Sequence, residues 1–147
     1  MVAVRMDSEI QKLKDLTGKM IAVQETSKAE EYFLRSDFEG IPDVSLVYCF
    51  SNMDEVFAAL RKNYVEAICG HESALISFIN TAPDEYRLLD ESFLYSALGV
   101  AFDIQYDEEF VEELFKTLGD MMNDGTIAAI VGKYGLDAEK SLGRGND

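Results

Sequence analysis

The sequence predicts an α/β fold, a three-layer sandwich in which helices cover both faces of a mostly parallel five-stranded sheet, with further helices toward the C-terminus. Two observations predict it. Short, near-continuous apolar runs recur at Met20–Gln24, Leu46–Phe50 and Val65–Cys69, as expected of strands buried on both sides. Between them lie stretches whose apolar residues follow the helical period, and such alternation favours right-handed crossovers onto a parallel sheet.

The first strand, Met20–Gln24, leads into a helix over about Lys28–Ser36. After the second strand, Leu46–Phe50, the residues Met53, Val56, Phe57 and Leu60 share one helical face. The third strand, Val65–Cys69, is followed by Ala74, Leu75, Phe78 and Ile79 along another helix. Arg87–Leu89 is a short fourth strand and Leu98–Phe102 a fifth. Beyond it, Phe110, Val111, Leu114, Leu118 and Met122 form an apolar stripe, preceded by Asp107, Glu108 and Glu109 where carboxylates favour a helix N-terminus. Gly125 marks the stop, Ile127–Tyr134 is a short helix before Gly135, and SLGRGND reads as a frayed tail.

Composition narrows the function. The chain has 147 residues, enough for one domain with a real core, and 28 acidic against 13 basic residues give a formal charge of -15. That charge repels phosphate backbones and anionic membranes, so no nucleic-acid partner is expected. No run approaches the roughly 20 apolar residues of a membrane helix. With one histidine, and with Cys49 and Cys69 outside any CxxC spacing, neither a metal site nor another cofactor is expected. A disulfide between the two cysteines requires adjacent strands and an oxidising compartment. The opening residues, MVAVRMDSE, show no secretion leader, so an exported parent would have lost it here.

In open parallel sheets ligands bind outside the carboxyl ends of the strands, where helices begin with unpaired N–H groups. After Gln24 comes ETSKAE, in which Ser27 and Glu30 have capping-box spacing. This turn serves either as a plain helix cap or as the seat of a carboxylate. Ser51 and Asp54 have the same spacing after the second strand. The third strand ends in CGHES, which places Gly70, His71 and Glu72 at the same mouth. Gly70 allows either a tight turn or close ligand approach, and His71 is either a structural residue or a hydrogen-bonding contact. No catalytic residue is assigned: no nucleophile has triad spacing, GxSxG is missing, and no glycine-rich phosphate loop is present.

Five segments together resemble the family 3 extracellular solute-binding proteins, the polar amino-acid receptors of ABC importers with the type 2 periplasmic-binding fold. VRMDSEIQKLKDLTGKMIAVQ is similar to the hinge strand and entry to their second lobe, where LKDLKGKKVAVQ is typical. AEEYFL, DEVFAALRKNYVEAI, LGVAF and EELFKTLGDMMNDGTIAAIVGKYG follow in the family's order, as first lobe-2 helix, helix and strand, return strand and C-terminal helices. The resemblance covers nearly the whole chain. It implies a second lobe over residues 1–102 with hinge strands at Met1–Arg5 and Leu98–Phe102, C-terminal helices over 103–135 that normally pack on the first lobe, and a flexible tail over 136–147.

The resemblance further implies a non-enzymatic module that recognises a small polar solute, an amino acid or organic acid, and passes it to a membrane permease or receptor partner. Its parent would be extracytoplasmic. The alternatives are the sensing domain of a signalling receptor, or a small dehydratase-like enzyme using His71 or Glu72. The family's glycine-threonine-threonine turn corresponds to Thr26, Ser27 and Lys28, and its acidic residue for the ligand ammonium to His71, with Glu72 as a possible substitute. The expected ligand-binding residues are therefore Gln24, Thr26, Ser27, Lys28, Gly70, His71 and Glu72. Most of the first lobe, with its carboxylate-binding arginine, would be missing, and the uncovered C-terminal helices favour a homodimer.

Overall fold

A computed structural model describes residues 1–35, 38, 40–95 and 99–143. The chain divides into two compact units, Met1–Tyr95 and Ser96–Asp147. The first holds five strands, β1 (Val2–Arg5), β2 (Met20–Gln24), β3 (Leu46–Phe50), β4 (Ala67–Cys69) and β5 (Tyr86–Leu88), with helices α1 (Lys28–Leu34), α2 (Met53–Arg61) and α3 (Glu72–Ile79) and a 3₁₀ turn at Leu13–Leu16.

The strand order is β3-β2-β4-β1-β5. β2 pairs in parallel with β3 and β4, whereas β1 runs antiparallel to both β4 and β5. The sheet is therefore mixed, although four strands still point the same way. The fifth strand is not the Leu98–Phe102 run but the opening segment, within the Met1–Arg5 strand that the resemblance implied. Gly99–Phe102 is not a strand, Leu98 lies outside the described residues, and Val2–Arg5 occupies the slot between β4 and β5. A strand requires a ladder partner for its backbone groups, and β1 already pairs with β4 and β5 on its two sides.

Strand alternation explains the two-sided core. Val2, Val4, Ile21, Val23, Ala67 and Cys69 face one way and meet Ala29, Tyr32 and Phe33 of α1. Ala3, Ala22 and Ile68 face the other way and meet Val56, Ala59 and Leu60 of α2 with Leu75 and Phe78 of α3. The three layers expected from the apolar runs are thus present. β3 differs: it is an edge strand, and Leu46 and Tyr48 stay 45% and 40% exposed. The two cysteines cannot bridge. Cys49 and Cys69 both register against Val23 from opposite sides, two strand spacings or roughly 9.6 Å apart, beyond disulfide reach.

Loops at the amino end of β2 are fixed by side chains. The Asp15 carboxylate accepts the Gln11 and Lys12 N–H groups, both at 2.9 Å, and Arg87 donates to the carbonyls of Ser8 and Ile10 at 3.0 and 2.8 Å. Of the expected α1 helix, Ser36 lies outside the described residues.

The second unit contains α4 (Glu108–Asn123), α5 (Thr126–Lys133) and α6 (Ala138–Ser141). Asp107 caps α4 by accepting Glu109 N–H at 3.0 Å, and Gly125 breaks the run with a left-handed φ of 83° that suits glycine. Within the segment read as a tail, Asp137 caps a single helical turn, while residues 144–147 lie outside the described part. None of the three helices contains a buried residue.

Candidate functional site

β2, the central strand of the parallel trio, carries β3 on one side and β4 on the other, so three carboxyl ends lie side by side across about 10 Å. Val23 is in register with both Cys49 and Cys69. The polar turns that follow therefore leave the sheet at nearly one level, and all seven expected site residues fall on two neighbouring exits: Gln24, Thr26, Ser27 and Lys28 after β2, and Gly70, His71 and Glu72 after β4.

The exit of β2 is tightly ordered. Glu25 N–H donates to Phe50 C=O at 2.8 Å, and the Gln24 side-chain amide donates to Ser51 C=O at 3.4 Å, tying the β2 exit to that of β3. Thr26 then adopts φ 58°, a left-handed conformation that costs a β-branched residue energy. The resemblance aligns this position with a glycine, and the backbone here has the left-handed shape that a glycine adopts freely.

Ser27 caps α1, as its spacing predicted, by accepting Glu30 N–H at 3.2 Å; its hydroxyl donates to Gln24 C=O at 2.6 Å. Glu30 reaches back one residue further than a standard box, accepting Thr26 N–H at 2.6 Å. Lys28 is not free: its ammonium meets Glu31 at 2.6 Å, and Arg35 meets the other Glu31 oxygen at 2.6 Å. Those hydrogen bonds, to Lys28 first and Arg35 second, hold the Glu31 carboxyl below its usual range. Thr26, Ser27 and Lys28 line the head of an open groove of about 580 Å³ that follows α1 to Leu34 and Arg35; Gly70, His71 and Glu72 line no part of it.

At the exit of β4, Gly70 has ordinary backbone angles but little space. Its φ is not left-handed, and a Cβ there would meet Met53 Cε at 3.2 Å, so the contact with Met53 is tight. His71 is the N-cap residue of α3, yet its side chain caps nothing; its Nδ1 lies 2.9 Å from Ser73 Oγ. Nothing else orients the ring among the described residues, so the pair lacks the base-and-orienter arrangement of an activated nucleophile. Glu72 opens α3.

The exit of β3 corrects one expectation. Asn52, not Ser51, caps α2, accepting Glu55 N–H at 3.0 Å, and Glu55, not Asp54, reaches back to Ser51 N–H at 3.2 Å. Asn is as good a cap as Ser, so the helix starts one residue later than the Ser51–Asp54 spacing suggested. Close by, partial burial of the Cys49 thiol, followed by its hydrogen bond to Glu30, pushes it up to about 11. Full burial pushes Cys69 up to about 12. Neither is a ready thiolate at neutral pH.

No family model matches the sequence, and no curated protein matches it significantly. Solved structures do. An ancestral arginine-binding protein bound to arginine is 26% identical with a TM-score of 0.67, over 90% of this chain and 58% of that one. One bound to glutamine is 25% identical with a TM-score of 0.67, over 90% and 57%. The fold is that of a solute-binding-protein lobe. A cysteine-binding protein from Campylobacter jejuni is also similar, at 26% identity and a TM-score of 0.51 over 58% of the lobe chain and 32% of its own. The lobe and its C-terminal segment thus span little more than half the length of the two ancestral proteins.

Proposed function

We propose that this chain is the second lobe of an extracytoplasmic receptor that recognises a small polar solute, an amino acid or organic acid, for ABC-type transport. The reading rests on one observation above all: the Thr26–Lys28 and Gly70–Glu72 turns leave adjacent strands at one level, beside a β2 exit that keeps a glycine-like turn at a threonine. The names of the similar structures, bound to arginine and to glutamine or called cysteine-binding, support an amino-acid-like solute. In the whole receptor the solute bridges this lobe and another, and closure about the hinge is the state that a membrane partner reads.

The residues have separable roles. Among the described residues the backbone N–H groups of Ser27, Lys28 and Ala29 donate no hydrogen bond, so they and the helix dipole can receive a carboxylate. Imidazole supplies no negative charge in either protonation state, so the ammonium of an amino acid falls to Glu72 and His71 contributes a hydrogen bond. The C-terminal helices would meet the remainder of the receptor or a second copy.

Amide NMR spectra of the chain, titrated with L-arginine, L-glutamine and succinate to tens of millimolar, test this reading even if half a clamp binds weakly. Shifts concentrated at residues 26–29 and 70–73 are expected. Shifts elsewhere, or none with any solute, would sink it.

A further inference from the structure

At the carboxyl end of the sheet, the core on the α2 and α3 face is closed by Met53. This residue is the first of α2, immediately after Ser51 and Asn52 at the exit of β3. Its side chain nevertheless reaches the exit of β4, where Cε and Sδ stand 3.2 and 3.6 Å from the point a Gly70 Cβ would occupy. The exits of β3 and β4, which this contact joins, flank β2, the strand that carries Gln24 and leads into the Thr26–Lys28 turn.

Met53 is half-buried and packs on the core beside Phe50 and Phe57, whereas Ser51, Asn52 and His71, which flank it, are exposed. It is therefore a partly exposed apolar group at the exit of β4, flanked by polar residues. A methionine has three rotatable bonds and a polarisable sulfur, so it adapts its surface to what lies on it. A Cβ at Gly70 would require the Met53 methyl group to give by a few tenths of an ångström.

We propose that Met53 is the apolar floor of the solute site and, with Gly70, selects solutes that carry a stem of several methylenes between their polar ends. The proposal rests on the receptor reading given above. A stem laid on the thioether leaves water, which is worth about fourfold in affinity per buried methylene. Compact solutes gain nothing from the same contact.

The test uses the whole chain with ¹³C-methyl-labelled methionine, and M53L identifies the Met53 resonance. L-Arginine and glycine serve as long- and short-stemmed probes, with backbone amides followed in the same samples. Arginine is expected to shift the Met53 methyl together with amides 26–29 and 70–73, while glycine shifts the amides alone. M53A, its fold checked by its amide spectrum, is expected to weaken arginine by about fourfold or more and to leave glycine unchanged. A Met53 methyl that stays in place while arginine moves those amides, or that moves equally with glycine, overturns the proposal and leaves the receptor reading standing. If no amide in either turn responds, both fall.

Discussion

Thr26 shows how a single residue can be held in a backbone shape that its own side chain disfavours. Its φ of 58° is held by Glu30 accepting its N–H at 2.6 Å and by its own hydroxyl donating to Glu25 C=O at 2.7 Å. Left-handed strain costs of order 1–3 kcal/mol, and the greater freedom of an unfolded glycine offsets part of the relief. Thr26→Gly is thus expected to stabilise the first unit by about 1 kcal/mol in urea unfolding; a loss of stability would show that the side-chain bonds outweigh the strain. That the seven expected positions fall at strand exits was legible because strand exits and cap spacings are written locally. The left-handed angle was not, since nothing in a threonine's identity announces it, and the contact between Met53 and Gly70 joins residues that only the β3-β2-β4 order brings together.

Elements were legible where an apolar period ran long enough, and shifted where caps competed. The helices α2 and α3 pack through the expected residues, but α2 starts after Asn52 because Asn52 accepts Glu55 N–H while Glu55 reaches back to Ser51 N–H. The 3₁₀ turn at Leu13–Leu16 went unread because it is fixed by one carboxylate and not by any period. Hydrogen bonds from Gln11 and then Lys12 hold the Asp15 carboxyl below its usual value. Since its folded pKa is depressed, its contribution is complete above the ordinary carboxylate range and is lost as pH falls through the lower, folded value. The Gln11 and Lys12 amide shifts should therefore titrate with a midpoint below about 3.9, the reference for free aspartate. A midpoint at or above that figure would mean that the turn does not depend on the ionised group.

For the molecule as a whole, the apolar runs foretold three layers and two-sided burial but could not say which segment completes the sheet. Leu98–Phe102 and Val2–Arg5 are both short and apolar, and a strand's position is decided by pairing with distant partners, which no local pattern records. Every buried hydrophobic residue among those described lies between Val2 and Leu89. Residues 1–95 alone should therefore fold with the same core, giving a dispersed amide spectrum that overlays that of the full chain for this unit. A collapsed, poorly dispersed spectrum would show that the C-terminal segment is needed for folding.

β1 also governs how such a sheet can assemble. It is the earliest of the five strands in the chain, yet Val2 pairs with Cys69 and Ala3 with Leu88, so both of its neighbours are supplied last. Loop closure over those separations must precede any reward from pairing, which slows folding relative to chains built from local contacts. During synthesis the parallel trio can form while β1 still waits for β5. The opening strand of this lobe cannot complete its pairing until the last strand of the sheet has been made.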